Sequence, residues 1–576
     1  MKAEGSVGLQ CTGGAHEDGV EKNLIRRREL LKAAVVLTGL GGFDLGCLRA
    51  QSVEGKGAVE YDNPYEGVDW ERWETVHSMS HQHQGQTPDS LDLFHAMGYG
   101  HFAFSNYYPS EPTYPLHAAW HSAHPEIVAS PNAEQHSFLD SGLHANSLGS
   151  GFSSGYGANV PAKALRESAL VHEFEGLRVF SERRPWEGVY RLDLQLESKS
   201  ENAKAKLSVE GASECFFREG FEVKGRIAER PLAAGKHTIY VRAESDRLLI
   251  RLEHDGALLN LTQVRLMQGS NRNWRDVFRA ILDGESVDGS TCGGLIHKDG
   301  GGITLNHPTG KDGDYEAMLD FDARVLGIEV WNQLTSGFGS SKGFYAPESG
   351  VGDDHFYRLW DRLLLSGRRC WGFFVKDHNT YGRGRNVLLV PPLNALSVTE
   401  REAAVLRAYR RGTFFGAVSA IATNEKGTVV SPFDWSGFRF RRLALRCDAG
   451  GVARAIEVAV GGQDETQRPN VQIRLITDAG ITAVIDAAEG EWELPRDAQG
   501  RPTPLFVRVE AIAYPRALAG GEALTAEKLR GMSVAQVAGL HDRWAERGAT
   551  FFGNPAEVRV PIPVADLIFS QPIRRV

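Results

Sequence analysis

At 576 residues with 42% apolar residues, the chain is long enough for more than one domain and has the apolar content to fill several cores. Its formal net charge of -9 weighs against a nucleic-acid binder, which would present a basic face. Of the six cysteines, Cys215, Cys292, Cys370 and Cys447 lie beyond residue 50 and none forms a CxxC pair, which disfavours both a disulfide scaffold and a zinc ribbon.

The N-terminus reads as an address. Arg27-Arg28-Glu29-Leu30-Leu31-Lys32 opens onto Ala33–Leu40, an apolar stretch too short for an ordinary membrane span. Paired arginines before such a stretch are similar to a twin-arginine signal. This implies cleavage after Ala50 and export of the folded chain, through a twin-arginine translocon, to the periplasm or cell exterior. Asp44-Leu45-Gly46-Cys47 offers an alternative, lipid anchoring at Cys47, weakened by Asp44 where an apolar residue is expected. Residues 51 to about 70 read as a polar linker.

From Trp73 the pattern becomes α/β. Ser80-His81-Gln82-His83 puts two imidazoles at i and i+2, on one face of an extended segment. Thr87-Pro88-Asp89 predicts a helix start, Leu91, Phe94 and Met97 its apolar stripe, and Gly98 its end. His101–Ser105 follows as a buried strand, so the unit predicts parallel pairing. His117, His121 and His124 have helical spacing, for which a surface role is favoured over a metal patch. Asn132-Ala133-Glu134-Gln135-His136 and Gly142-Leu143-His144 then supply a carboxylate and further imidazoles.

Between about 160 and 270 the period changes to two. Tyr190, Leu192, Leu194 and Leu196 alternate with polar residues, as do Leu248, Ile250 and Leu252, which predicts an antiparallel sandwich. Trp186 and Tyr190 could stack on sugar rings, although packing is the favoured role.

The α/β pattern then returns. Gly301–Leu305 and Leu326–Trp331 read as strands, and Asn306-His307-Pro308 follows the first of them. Phe356, Leu359, Trp360, Leu363 and Leu364 mark a helix that Gly367 stops. The apolar strand Trp371–Val375 runs straight into Lys376-Asp377-His378, at the strand end where parallel α/β folds carry their chemistry. Thr399 with Glu402 reads as the capping box of a helix ending at Gly412. Beyond 426 alternation resumes at Val471, Ile473 and Leu475 and at Val507 and Val509, with a last helix expected near 525–546.

Imidazoles and carboxylates gathered at strand ends suit Zn, Mn or Fe, ions that make hydroxide from water, so the residues themselves point to a metal-dependent hydrolase. No nucleophile elbow and no HExxH helix is present.

The order HxH, carboxylate, His, His-Pro after a strand, then Asp-His at a late strand end resembles the PHP (polymerase and histidinol phosphatase) family. The phrases Gly327-Ile328-Glu329-Val330-Trp331-Asn332, Trp360-Asp361-Arg362 and Ser570-Gln571-Pro572-Ile573 add to the likeness. The resemblance implies a distorted (β/α)7 barrel with metals at the strand ends and phosphoester hydrolysis by a metal-activated water. It puts His81, His83, Glu134, His144, His307 and Asp377 on ligand positions, with His378 completing the shell. Glu134, Asp377 and His378 would form the catalytic group, and Glu329, Asn106 and His136 would stand behind the ligands and orient them.

The departures are specific. Ser105-Asn106-Tyr107 replaces the family's Thr-Asp-His, Ser-Asp-Gly after the HxH is missing, and the final Asp-x-His reads Asp377-His378-Asn379. One or two divalent ions (Mn, Fe or Zn) are therefore expected, and not three. The implied layout is a signal peptide at 1–50, PHP barrel at 51–158 and 271–425, an inserted antiparallel β-sandwich similar to a carbohydrate-binding jelly roll at 159–270, and a C-terminal β-rich region at 426–576. The expected partner is a small-molecule or carbohydrate phosphoester, with no nucleic acid. A non-phosphate substrate, or glycan binding by a degenerate barrel, stays open as an alternative.

Overall fold

The structure, a computed structural model, describes residues 60–83, 87–105, 114–135, 141, 143–150, 160–161, 163–167, 171–178, 188–198, 205–210, 212–219, 222–226, 232–243, 247–254, 259–267, 273–284, 294–308, 312–332, 355–377, 383–418, 422–423, 429–431, 437–462, 470–514, 523–551 and 554–576. These residues are mixed α/β and rich in sheet, with few helices. The signal segment and Cys47 lie outside them, as do Asn106, His136 and His378. Among the described residues no helix is long and apolar enough to cross a membrane.

The strands that matter for function are β1 (Glu74–Met79), β2 (His101–Phe102), β3 (Val128–Ala129), β4 (Glu134–Gln135), β5 (His144–Leu148), β6 (Gly302–Asn306), β7 (Val325–Asn332) and β8 (Trp371–Val375). β1, β2 and β3 are parallel neighbours, as the strand–helix–strand pattern predicted. β6, β7 and β8 are parallel too, while β5 runs antiparallel to both β4 and β6. Two seams join the sets. Beyond β3 the chain bonds to β5, with Ser147 N donating to Ala133 O at 3.0 Å and Gly149 N to Pro131 O at 2.8 Å. Beyond β8 it meets the extension of β1, where Gln82 and Asp377 form a parallel bridge, His83 N donates to Asp377 O and Asp377 N to His81 O, both at 3.1 Å. These bonds draw the strands into a ring. β8 is wholly apolar and every residue in it is buried, as a strand covered on both faces should be.

Amphipathic helices cover the strands. Helix α1 (Pro88–Ala96) is capped by Thr87, whose hydroxyl accepts from Ser90 N, and buries Leu91 and Phe94. With Trp120 of helix α2 (Ala118–Ala123) these side chains pack on Phe102 and Ala129. Helices α3 (Trp274–Asp283), α4 (Asp312–Leu319) and α5 (His355–Leu365) share a core that includes Phe278, Met318, Leu359, Trp360, Ile303 and Ile328. The Trp360 indole also donates to Cys370 O at 2.8 Å. Helix α6 (Val398–Arg411) starts at Ser397, not at Thr399. Ser397 and Glu400 form the capping box, and Gly412 ends the helix in the left-handed conformation at φ 75. Ser397-x-x-Glu400 satisfies the same motif two residues earlier, which the sequence alone did not separate.

Three other expectations change. The stretch read as a linker belongs to the fold from residue 61: Tyr61–Asp62 pairs with Ile573–Arg575, and buried Tyr65 donates its hydroxyl to Phe414 O. The helix expected at 525–546 is two short helices, Ala526–Arg530 and Val534–Gly539, followed by the strand His541–Phe551. The β-rich C-terminus is continuous with the sheet that contains β1. Strands β9 (Gly384–Val390) and β10 (Phe414–Val418) extend the sheet from β1, and β10 pairs Asp566–Ser570, which pairs Phe506–Tyr514. The Gln571 amide closes on the backbone of Gly372 in β8, accepting from its N–H at 2.7 Å and donating to its carbonyl at 2.9 Å.

Residues 160–267 form a six-stranded and a four-stranded sheet, both antiparallel. Trp186 lies outside the described residues, and Tyr190 is placed by its backbone opposite Val241.

Close approach of β7 to β8 depends on Gly327. A Cβ there would stand 1.9 Å from the carbonyl oxygen of Trp371, a backbone atom that cannot swing aside. Gly327→Ala should therefore destabilise the fold by about 1–3 kcal/mol. Chemical denaturation of the two proteins checks this, and equal stabilities would refute so tight a strand contact.

Candidate metal centre

All the described donors lie on one rim of the strand ring. His81 and His83 follow β1, His307 follows β6 and Asp377 follows β8. Glu134 opens β4, and His144 opens β5, whose reversed direction brings its start to the same rim. His81, His83, Glu134 and Asp377 are buried and together could hold an ion; Glu134, His144 and His307 form a second such group.

In the first group, His81 Nε2 and His83 Nε2 are 3.0 Å apart. Glu134 Oε2 lies 3.3 Å from the first and 2.8 Å from the second, and Asp377 Oδ1 lies 3.4 and 3.5 Å from them. Donors sitting ~2.0–2.2 Å from one tetrahedral ion are roughly 3.3–3.6 Å apart; the 3.3, 3.4 and 3.5 Å spacings meet this, while the 3.0 and 2.8 Å spacings to His83 are hydrogen-bond contacts that an ion would have to widen. In the second group the other oxygen of the same carboxylate acts. Glu134 Oε1 is 3.1 Å from His144 Nδ1 and 3.0 Å from His307 Nε2. Glu134 thus presents one oxygen to each group, the arrangement a carboxylate adopts between two ions.

Glu329 sits behind both. Its Oε1 is 2.5 Å from His81 Nδ1, which leaves Nε2 for the donor group, and its Oε2 accepts from His307 N at 2.6 Å and from Asn332 Nδ2 at 2.7 Å. Asn332 Nδ2 also reaches Asp377 Oδ2 at 3.1 Å.

A set of amides frames the rim. Asn132 and Asn146 both donate to Ser80 O, at 2.8 and 3.0 Å, and Asn306 donates to Glu134 Oε1 at 2.9 Å and to Asn146 Oδ1 at 3.0 Å. Sequence reasoning passed over Asn132 and Asn146, although each stands two positions from a named donor: Asn132 before Glu134, Asn146 after His144. Buried amides joined by hydrogen bonds hold a rigid polar frame, although Asn132 Oδ1 itself accepts none.

The backbone is held in an uncommon conformation at two donors. His307 and Asp377, with φ of 23 and 56, are the non-glycine residues at positive φ among those described. Asp377 is fixed there by its two backbone bonds to the β1 extension, and His307 by Glu329.

Protonation follows burial and charge. Burial disfavours the charge on His81, but Asp377, Glu329 and Glu134 outweigh it and hold its pKa well above the usual value. Burial also opposes charge on His307, where the bond to Glu134 and the surrounding carboxylates raise the pKa. For His83 burial prevails over Glu134 and the pKa falls. Glu134, Glu329 and Asp377 are together a concentration of buried negative charge, which calls for protons or cations close by.

Other histidines and arginines go elsewhere. His77 accepts from Arg385 Nε at 2.8 Å and, with Thr75, Phe438 and Arg439, lines a cavity of about 250 Å³ that contains none of the donors. Arg383 donates to Ala538 O and Ala565 O. Ser105, first residue of the divergent Ser-Asn-Tyr, accepts from Gln82 N through its hydroxyl at 3.0 Å and thereby braces the β1 extension. His117, His121 and His124 do not converge: His117 Nδ1 accepts from Trp120 N, and His121 Nε2 pairs with Ile127 O.

Glu329→Gln would set an amide N–H against the N–H of His81 or of the His307 backbone. Metal affinity should fall by about 10–100-fold with the fold retained, measured by competition with a chromophoric chelator. An unchanged affinity would remove Glu329 from the centre.

No protein-family model and no curated protein matches the chain. Among solved structures, a Faecalibacterium prausnitzii β-glucuronidase is 9% identical, covering 68% of this chain and 40% of its own, at a TM-score of 0.10. DesR, a β-glucosidase from Streptomyces venezuelae, is 11% identical over 79% of this chain and 56% of its own, at a TM-score of 0.13. The chain thus spans less than two thirds of either structure, and similarity this low carries no argument about fold or activity.

Proposed function

We propose that this protein is a metal-dependent hydrolase of the PHP type, exported through a twin-arginine route, that cleaves phosphoesters on a distorted (β/α)7 barrel carrying an inserted β-sandwich. The observation that carries the reading is the placement of Glu134, with one carboxylate oxygen toward each of two donor groups. The strand ring, with every described donor on one rim, fits the barrel. Two divalent ions from among Mn, Fe and Zn match the mixed imidazole and carboxylate donors.

Cations bound there would polarise a substrate oxygen and lower the pKa of a bound water. The chain's own part is orientation. Glu134 keeps the two groups in register, Glu329 fixes the tautomer of His81, and Asp377 closes the first group across the seam with β1. His144 has 27% of its side chain exposed and His307 13%, against 0% for His81, so substrate would approach from their side. A phosphoester, on a sugar in keeping with the inserted strands, is the proposed substrate.

The test starts from the protein beginning at Gln51, purified without chelators. Elemental mass spectrometry should find about two equivalents of Mn, Fe or Zn. Hydrolysis of a phosphoester panel should vanish with chelator and return with added metal. His83→Ala should lower turnover by more than about a hundredfold while circular dichroism shows the fold intact. A protein that neither carries nor takes up metal would sink the catalytic reading. Metal binding with hydrolysis only of non-phosphate esters or glycosides would overturn the substrate class.

A further inference from the structure

We propose that His95, His124 and Glu126 form a separate site for a borderline divalent cation of the Zn²⁺ type, which clips helix α1 to the end of helix α2. The site shares no residue with the centre described above and does not depend on its function. His95 lies in the last turn of α1, His124 caps the C-terminus of α2, and Glu126 follows in the next turn. His95 Nε2 is 3.2 Å and His124 Nδ1 3.4 Å from the same oxygen, Glu126 Oε1. The two rings stand 4.5 Å apart between centroids, and one ligand atom from each of the three residues lies within 4.8 Å of the others.

The second nitrogen of His124 points to a carboxylate. His124 Nε2 is 3.9 Å from Asp92 Oδ1, and that oxygen is held by the Trp120 indole N–H at 2.7 Å. At 3.9 Å there is no direct hydrogen bond, and Asp92 acts on the imidazole as a nearby negative charge. The Trp120 ring lies 4.3 Å from that of His124 and fixes its plane from the side. His124 is further anchored by its backbone, which donates to Trp120 O and accepts from Ile127 N. Two imidazoles and one carboxylate select Zn, Co, Ni or Cu over Mg or Ca. Side-chain exposures of 38% for His95, 26% for His124 and 56% for Glu126 leave room for water to complete the coordination.

The simpler account is a histidine–carboxylate ion pair at the surface, which would hold no metal. Zn²⁺ titration of the full chain by calorimetry separates the two. His95→Ala/His124→Ala should bind one equivalent fewer than wild type. Glu126→Gln, at an exposed position where folding is not at risk, should weaken that equivalent by more than about tenfold. His83→Ala, altered only in the other centre, should retain it. Equal stoichiometry and affinity in wild type, the double variant and Glu126→Gln would reduce the trio to an ion pair and overturn the proposal.

Discussion

Three carboxylates, Glu134, Glu329 and Asp377, are buried on one rim of a strand ring, and much of the local structure follows from keeping them there. Holding a carboxylate away from water costs several kcal/mol unless hydrogen bonds and opposite charge offset it. Imidazoles, amides and a backbone N–H from the extension of β1 and from β5, β6 and β7 converge on them. Glu134 alone meets His83, His144, His307 and Asn306. The histidines whose pKa the carboxylates raise show where positive charge is most favoured. A site with this concentration of negative potential and correctly spaced nitrogen donors is suited to cations.

The rim is rigid for reasons of backbone as well as charge. Asp377 and His307 adopt positive φ, and both are locked by hydrogen bonds to groups that themselves belong to the centre. The seam between the extensions of β1 and β8 therefore does two things: it joins the ends of the ring, and it sets the spacing of Asp377 from His81 and His83. Any change that opened the seam would separate donors as well as strands. Ser105 braces the same extension by accepting from Gln82 N.

The C-terminal strands support this rim from a distance. They extend the sheet of β1, β9 and β10, and Gln571 binds the backbone of β8 at Gly372, five residues before Asp377. The apolar faces of Arg439–Cys447 and Ala453–Gly461 pack on the same sheet. The strand ring and the C-terminus are in this sense one folding problem, joined by long-range pairing that no local pattern announces.

What the sequence determined by itself was local. Two histidines at i and i+2 share a face because a strand repeats every two residues. Thr87 with Pro88 marks a helix start because the hydroxyl accepts a free N–H and proline needs none, and the unbroken apolar run of β8 marks a strand buried on both faces. The list of donors was legible for the same reason, since each stands where a recognisable strand begins or ends. Only the tertiary structure decided which donors meet, that Glu134 divides its two oxygens between two groups, and that His124 joins His95 and Glu126 and not its helical neighbours. It also decided that Asn132, Asn146 and Asn306 form the frame beneath. These are contacts between residues far apart in the chain, set by side-chain rotamers and strand register. Periodicity reports which face a residue occupies and is silent about what it faces.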